Sequence, residues 1–413
     1  MRGNPEQVAL GSNNLTLKGV KLLALGPDRT CITSIRDEVY CWGNGANGLL
    51  GSDRVLSPYP TRVLDPNGEL LGNALQMSVG FNHTCILDGA QKLYCFGLND
   101  FGQLGLRMIS SSAISADQKP IQKVSSIDTY GNKTCLVHDK EQVVSCFGER
   151  EIDNINKKPE HNSFILEPVK HENQNMKGAL GISVGRNHIC VIESSQAVTC
   201  VTFADTLSPA ASQMIVDVNQ KPVRDIWQLR SRGDLNCGLT QESGSILCWG
   251  QWKGTQWQQA HLLPTPGKST AEYIQFAVSE DQVCGIRGVD RTIYCTKNGE
   301  SSLDKLELKP LPDRDGRAMS KVLMITAGNH HFCAINEESQ LYCWGQNESG
   351  ELGYKIDREY QRPIRVILNN ERLKKLSHVS AGDRHTCVTT RDDPALYCFG
   401  ESFFSGSSSS EPV

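Results

Sequence analysis

The fold of this 413-residue chain can be read from one segment, Asp28-Arg-Thr-Cys31-Ile-Thr-Ser-Ile-Arg-Asp-Glu-Val-Tyr-Cys41-Trp-Gly43. Residues 30–34 and 39–42 have the composition of two short strands, and the polar residues 36–38 between them are typical of a turn. In such an antiparallel hairpin the two cysteines can stand opposite one another, at a Cα separation that a disulfide tolerates. The stretch therefore predicts a β-hairpin closed by a disulfide.

The same hairpin pattern recurs along the whole chain, because its 16 cysteines form eight pairs with an internal spacing of 10 or 11 residues. The pairs are Cys31–Cys41, Cys85–Cys95, Cys135–Cys146, Cys190–Cys200, Cys237–Cys248, Cys284–Cys295, Cys333–Cys343 and Cys387–Cys398. Structural zinc sites use Cys-x-x-Cys knuckles, which this chain lacks. We therefore expect eight disulfides, no metal site and no cofactor.

Disulfides persist in oxidising compartments, so the sequence favours a secreted or cell-surface protein. The alternative is a cytosolic protein in which the same cysteines are buried and reduced. Residues 1–4, Met-Arg-Gly-Asn, do not open an apolar signal-peptide core. A formal net charge of −4 argues against a dedicated nucleic-acid binder, which needs a basic face. No apolar run reaches the roughly 18 residues of a membrane span, so none is predicted.

Each cysteine pair belongs to a repeat of about 50 residues that contains four short strands. In the last copy these are Pro363-Ile-Arg-Val-Ile367, Leu376-Ser-His-Val-Ser-Ala-Gly382, His385-Thr-Cys387-Val-Thr and Ala395-Leu-Tyr-Cys398-Phe-Gly400. Four-stranded units repeated radially are typical of a β-propeller. We predict an all-β chain with a single propeller over 1–402 and a flexible Ser-rich tail or linker over 403–413. Eight blades are expected, with seven as the alternative.

Three segments resemble the regulator-of-chromosome-condensation repeat: Cys41-Trp-Gly-Asn-Gly-Ala-Asn-Gly-Leu-Leu-Gly51, Cys95-Phe-Gly-Leu-Asn-Asp-Phe-Gly-Gln-Leu-Gly105 and Cys343-Trp-Gly-Gln-Asn-Glu-Ser-Gly-Glu-Leu-Gly353. The Gly-x-x-His-Thr-Cys element at Gly80–Cys85 and Gly382–Cys387 strengthens the resemblance, which covers about residues 5–402 and fades in units four to six. One cysteine pair per blade is similar to the extracellular branch of the family, which includes crinkly-type receptor ectodomains. The exchange-factor activity of the family's nuclear founder is not expected here.

Four histidines lie two residues before a cysteine, at His83, His188, His331 and His385. We expect each ring to hydrogen-bond a neighbouring turn, because equivalent propeller positions are too far apart to share one metal ion. The tryptophans that follow a second cysteine, Trp42, Trp249 and Trp344, are predicted to be blade core.

The segment Gln251-Trp-Lys-Gly-Thr-Gln-Trp-Gln-Gln-Ala-His261 has the composition of an amphiphilic loop. Tryptophan is enriched at binding hot spots, so Trp227, Gln251, Trp252 and Trp257 are the candidate partner-binding residues. The alternative for these tryptophans is packing between blades five and six.

Sequons at Asn14, Asn82, Asn132 and Asn347 are candidate glycosylation sites, although the threonines that complete the second and third also belong to the repeat. The sequence predicts a non-enzymatic extracellular module that binds a protein partner, free or as part of a larger membrane or surface assembly. Three alternatives remain open: a carbohydrate-binding propeller that uses Trp252 or Trp257 as a stacking platform, a secreted inhibitor or receptor ectodomain, and an enzyme with its site at the central channel.

Overall fold

The computed structural model shows a ring of eight antiparallel sheets within the residues that it describes. The described residues are 6–8, 17, 19–52, 54–65, 67–105, 123–148, 167–171, 174–203, 212–267, 272–298, 300, 306–354, 359–368, 371–372, 375–391 and 395–401. The prediction of an eight-bladed all-β propeller is confirmed, and the seven-bladed alternative is wrong. The tail at 403–413 lies outside the described residues.

The first strand of each blade lines the central channel and packs against the first strands of the two neighbouring blades. The first strands are Val20–Leu25, Ala74–Val79, Ser126–Tyr130, Ala179–Val184, Ile226–Arg232, Tyr273–Val278, Val322–Ala327 and Leu376–Ala381. The second strands are Arg29–Ser34, His83–Asp88, Lys133–His138, His188–Glu193, Leu235–Thr240, Val283–Arg287, His331–Asn336 and His385–Thr390.

The third and fourth strands form the outer half of each blade. The third strands are Val39–Asn44, Leu93–Gly97, Val143–Gly148, Val198–Thr202, Ile246–Trp252, Ile293–Cys295, Leu341–Gly345 and Leu396–Gly400. The fourth strands of blades 1 and 3–8 are Leu56–Arg62, Glu167–Pro168, Ser212–Met214, Thr255–Leu262, Lys309–Pro310, Tyr360–Arg365 and Glu6–Gln7. Blade 2 has three strands within the described residues.

Two small hairpins and one short helix complete the described elements. The hairpins pair Lys170–His171 with Gln174–Asn175 and Ile367–Leu368 with Glu371–Arg372, and a 3-10 turn spans Ala46–Gly48. Among the described residues, no helix has the length and apolar character needed to cross a membrane.

All eight predicted disulfides are present, and each joins the second and third strands of its own blade. The two cysteines of a pair face each other in register, as Cys31 faces Cys41 and Cys85 faces Cys95. Their Cα atoms lie 4.0–4.2 Å apart, close to the separation of a cross-strand pair that lacks backbone hydrogen bonds. Each disulfide therefore staples the centre of a blade.

The ring closes where the N-terminal strand joins the last blade. Glu6 pairs with Cys398 and Gln7 with Tyr397, so Glu6–Gln7 is the outermost strand of blade 8. In the sequence repeat, the strand that begins Pro-x-x-Val is the first of the four strands. In the structure each blade is shifted by one strand relative to the repeat. That strand follows the third strand and pairs with it, so it completes the preceding blade.

Each histidine of the Gly-x-x-His element connects its blade to the next. Its Nε2 bonds to a side-chain oxygen on the neighbouring second strand: His83 to Thr134 at 2.7 Å, His188 to Asn236 at 2.7 Å, His331 to Thr386 at 2.9 Å and His385 to Thr30 at 3.1 Å. The structural role is confirmed, but the partner is a strand residue rather than a turn. The preceding glycine is required because a Cβ at Gly80 would lie 2.4 Å from the His83 ring.

The core consists of apolar clusters between adjacent blades. Trp42, Trp249 and Trp344 are at most 2 % exposed, as predicted, and the Trp344 ring stacks on Phe332 with centroids 5.5 Å apart. Gln251–His261 is a β-hairpin rather than the predicted loop, since Ile246–Trp252 pairs with Thr255–Leu262. Lys253 and Gly254, both with positive φ, form the two-residue turn that this connection requires.

Candidate functional site

The propeller has two different faces, because strand direction alternates within each blade. One face carries the beginnings of the first strands and the turns between second and third strands; we call it the bulge face. The other carries the turns between first and second strands, and we call it the opposite face. The central channel runs between them along the first strands.

The bulge face takes its name from a β-bulge near the start of seven of the eight first strands within the described residues. A bulge inserts one extra residue and redirects its side chain. In five blades this residue is apolar and exposed, by 37–57 %. We call these five residues the apolar collar: Leu75, Leu180, Trp227, Ile274 and Leu323. Blades 1 and 8 have Lys21 and Ser377 instead.

Below the collar lies a cavity of about 570 Å³ in the channel. Its wall comes from blades 2–5 and is mostly uncharged. Around the whole ring, the residues that pair with the first cysteine of each blade are small in six blades: Ala24, Ser78, Ser183, Ala277, Thr326 and Ser380. In blades 3 and 5 the equivalent positions hold Asp128 and Arg230. Two opposite charges therefore stand in a ring of small side chains.

Asp128 is held by backbone donors. The N–H of Val184 in the next blade donates to Oδ2 at 2.8 Å, and the N–H of Thr129 donates to Oδ1 at 3.0 Å. Burial raises the pKa of Asp128 to about 6, against these two hydrogen bonds and the more distant Arg230 charge, which lower it. The carboxylate connects blades 3 and 4 and is already engaged.

Arg230 differs from Asp128 because its guanidinium is exposed to the channel. Its side-chain hydrogen bond within the described residues runs from Nη1 to the carbonyl of Leu229, at 3.0 Å. Trp227, Gln228 and Arg232 line the same cavity from the same strand. Blade 5 therefore contributes an indole at the bulge face and two guanidinium groups deeper in the channel.

The opposite face carries a network of charged groups around the channel. Arg232 of blade 5 reaches across to Asp383 of blade 8, at 3.4 Å, and to Asn329 of blade 7. Asp281 bonds to His330, and Lys253 lies 3.3 Å from the same carboxylate. The hydrogen bond that the His330 ring donates to the Asp281 carboxylate raises the pKa of His330, whereas burial lowers it. The charged groups of this network are therefore paired with one another, although Nε of Arg232 is buried without a hydrogen-bond partner.

The structure separates the four predicted partner-binding residues. Trp227 is 52 % exposed in the collar, whereas Trp252 and Trp257 are 2 % and 4 % exposed. The latter two stack at 6.2 Å between blades 5 and 6, and Trp252 Nε1 donates to the carbonyl of Glu300 at 2.9 Å. Gln251 is exposed at a cavity of about 330 Å³ on the opposite face, far from the collar.

Two of the candidate glycosylation sites occupy internal positions. Asn347 is 1 % exposed, its Nδ2 donates to the carbonyl of Tyr354, and its Oδ1 accepts from the N–H of Leu352. The fold leaves no room for a glycan there. Asn82 is partly buried and its Nδ2 donates to Oδ1 of Asn132, at 3.1 Å. Asn14 lies outside the described residues.

The sequence pointed to Trp227, but the other four collar residues and Arg230 were missed, although signals for them were present. Each apolar bulge follows another apolar residue, as in Ala74-Leu75, Ala179-Leu180 and Ile226-Trp227, which interrupts the alternation of a strand. Arg230 would stand out in an alignment of the eight units, where most equivalent residues are small. Among the described residues no cluster of three metal-binding side chains occurs.

Known proteins share both the sequence repeat and the propeller fold described above. The sequence profile of the regulator of chromosome condensation (RCC1) repeat matches residues 36–87 and 338–389, and a second profile of that repeat matches 75–103. The matched segments are RCC1 repeats, and the chain is an eight-bladed propeller that is similar to proteins containing this repeat. The crystal structure of Prp20p from Saccharomyces cerevisiae has this fold, with a TM-score of 0.54 at 15 % identity over 93 % of this chain and 92 % of that one.

Two proteins with similar sequences differ in how much of their length the similarity covers. The chain is 23 % identical to the Arabidopsis thaliana ultraviolet-B receptor UVR8, over 90 % of this chain and 74 % of UVR8. It is 25 % identical to human E3 ubiquitin-protein ligase HERC2, over 46 % of this chain but 4 % of HERC2. The similarity thus covers most of UVR8 but a small part of HERC2.

Proposed function

We propose that this RCC1-like propeller is a non-catalytic recognition module that binds a protein partner through its bulge face, in an oxidising extracellular compartment. The observation that carries the proposal is the apolar collar. Five blades expose a large apolar side chain at the same redirected position, which is unlike the scattered apolar residues of an ordinary surface.

Other exposed apolar side chains lie at the same face. Ile35 and Val289 occupy turns between second and third strands, and Leu64, Leu70 and Val218 lie on connections to the next blade. Aromatic anchors surrounded by aliphatic contacts are typical of binding hot spots, and Trp227 has that position in the collar. A rigid ring stapled by eight disulfides costs little conformational entropy when it binds.

Relatives with the same repeat support a role in protein binding and regulation. UVR8 is a receptor, and the Prp20p structure is described together with its binding properties to Gsp1p and histones. In this chain every described cysteine is in a disulfide. That pattern supports a secreted or surface location, as a receptor ectodomain or a secreted inhibitor.

The carbohydrate-binding alternative depended on Trp252 or Trp257 as a stacking platform. Both side chains are buried in the core between blades 5 and 6 and offer no open ring face. Binding of a protein is therefore the better supported function.

The location and the binding face can be tested separately. Peptide mapping of the natively expressed protein under non-reducing conditions should recover the eight intrablade disulfides, and free thiols would contradict an oxidising compartment. For the face, affinity capture compares the unmodified chain with two variants. The collar variant carries Leu180→Ala, Trp227→Ala and Leu323→Ala. The control carries Val55→Ala, Leu56→Ala and Tyr59→Ala, which remove exposed apolar side chains from the outer strand region of blade 1.

We expect a protein to be captured by the unmodified chain and by the control, and to be lost with the collar variant. Equal capture by all three proteins would contradict the assignment of the face. Enrichment of glycans rather than protein would contradict the proposed function.

A further inference from the structure

We propose that Arg230 and Trp227 form a subsite for a carboxylate next to an apolar side chain, within a peptide segment of the partner that enters the channel from the bulge face. The inference rests on the proposed function and adds the chemistry of the segment that is recognised. It is carried by the free donors of Arg230, the space around them and the collar above.

Arg230 has unused hydrogen-bonding capacity. A guanidinium carries five N–H donors, and in the described structure this side chain makes its hydrogen bond to the carbonyl of Leu229. No ion pair of the described residues includes Arg230, although Asp128 stands at the equivalent position of blade 3. Asp128 is occupied by the N–H groups of Val184 and Thr129. The Arg230 charge acts on Asp128 through space, where it lowers the pKa of that carboxyl, but among the described residues no carboxylate lies within ion-pair distance of the guanidinium.

The wall around Arg230 leaves room for a ligand. The equivalent residues of the two adjacent blades are small: Ser183, which lines the cavity, and Ala277. The cavity volume of about 570 Å³ is enough for several side chains. A planar guanidinium binds a carboxylate through two parallel hydrogen bonds, which favours a carboxylate over a neutral group.

The apolar collar indicates that the group next to the ligand's carboxylate is apolar. Trp227 and Arg230 are three residues apart on one strand, which places their Cα atoms roughly 10 Å apart at 3.3 Å per residue. Leu180 and Ile274 flank Trp227 from blades 4 and 6. Aliphatic neighbours suit an apolar anchor better than a sugar, whose hydroxyl groups would be buried against them without partners. The subsite therefore fits an extended segment with an apolar anchor and an acidic residue two or three positions away.

The test pans a random dodecapeptide display library on the disulfide-intact chain and then titrates the recovered peptides. Three variants are compared with the unmodified chain: Arg230→Gln, Trp227→Ala and Arg224→Gln. Arg224 is the matched control, because it is an exposed arginine near the same face whose Nη1 donates to a backbone carbonyl, that of Ser195, at 3.3 Å. Thermal unfolding of each variant establishes that it is folded.

We expect recovered peptides to combine an acidic residue with a nearby apolar one. Arg230→Gln should weaken their binding by about 10- to 100-fold, as should Trp227→Ala, while Arg224→Gln should leave it unchanged. Changing the peptide's acid to its amide should weaken binding to the unmodified chain but have little further effect on Arg230→Gln, as a double-mutant cycle requires.

Recovery of no peptide, or of peptides without a carboxylate, would overturn the subsite, as would unchanged binding to Arg230→Gln. Binding that depends on Trp227 but not on Arg230 would overturn the subsite and leave the proposed binding face intact. Failure of the proposed function gives a different result: the collar variant captures the same protein as the unmodified chain. Binding of the unmodified chain to a glycan array that is lost in Trp227→Ala would overturn the peptide assignment, because the ligand would then be a sugar.

Discussion

At the scale of single residues, Arg29 shows how one substitution within a repeat can connect two blades. It occupies the position that histidine holds in blades 2, 4, 7 and 8 and is fully buried. Its guanidinium donates to the carbonyls of Gly80, Phe81 and His83, to Asp28 Oδ1 and to Thr84 Oγ1, over 2.6–3.1 Å. All five N–H donors are used, so the charge is tolerated inside the protein.

Replacing Arg29 by alanine should destabilise the chain by about 3–5 kcal/mol, because several buried acceptors lose their donor. Arg29→His should cost less, since a histidine at this position in other blades bonds to the equivalent threonine of the next blade. Urea unfolding under non-reducing conditions measures both, with Arg391→Ala as an exposed control. Equal midpoints for Arg29→Ala and the unmodified chain would show that Arg29 does not hold the two blades together.

Glu351 is a second buried residue whose effect on the free energy of unfolding can be tested. It is 2 % exposed in the turn after the third strand of blade 7, where Gln103 occupies the equivalent turn of blade 2. Burial raises the pKa of Glu351 to about 7, well above its ordinary value of 4.5. Because the unfolded chain releases this proton more readily, the carboxyl reduces stability as the pH rises from about 4.5 to 7.

Glu351→Gln should therefore raise the free energy of unfolding at pH 8 by roughly 2–3 kcal/mol, and should have little effect near pH 4.5. Denaturation midpoints of the two proteins at both pH values provide the measurement. A stabilisation of equal size at both pH values would contradict the assignment to this carboxyl.

At the scale of elements, the histidine contacts between second strands make the ring sensitive to acid. Burial lowers the pKa of His83 and His331 to about 3 and that of His385 to about 4, and it also lowers the pKa of His188. An unfolded histidine takes up a proton near pH 6.5, so the stability from these neutral rings is complete above that pH. It is lost progressively as the pH falls from about 6.5 toward the folded values.

Removing one of these rings should flatten the acid response. Between pH 6 and pH 4, the unfolding free energy of the unmodified chain should fall more steeply than that of His331→Gln, by up to about 1.4 kcal/mol per pH unit. Unfolding curves over this range, with the exposed His378→Gln as the control, test the difference. Parallel pH profiles for the unmodified chain and His331→Gln would show that His331 is not protonated on unfolding.

The elements also show what sequence reasoning can reach. The cysteine grid predicted the hairpins, their disulfides and the eight blades, because cross-strand pairing fixes the spacing of the residues that face each other. The hairpin at Trp252 and Trp257 was missed, since Lys253-Gly254 is a weak turn signal. The alternative given for these two tryptophans, packing between blades 5 and 6, is what the structure shows. The side-chain amide of Asn347 looked accessible, but it organises a turn inside the fold.

At the scale of the whole molecule, closure of the ring depends on a few residues near the N-terminus. Val8 is 8 % exposed, and its N–H donates to the carbonyl of Leu396 at 2.8 Å, next to the pairing of Glu6–Gln7 with the last blade. Val8→Asp should lower the thermal unfolding temperature, because it places a charge between the closing strands. Val55→Asp, at a 71 % exposed position, is the control. Equal unfolding temperatures would indicate that this strand does not close the ring.

Site-specific photo-cross-linking can establish whether the bulge face is the recognition surface. A photoreactive amino acid replaces Trp227 in one version of the chain and Tyr59, outside the collar, in another. Both versions are exposed to the medium or cell surface where the protein resides. If the bulge face binds the partner, we expect protein adducts at position 227 and none above background at position 59. Adducts at position 59 alone, or at neither position, would contradict it.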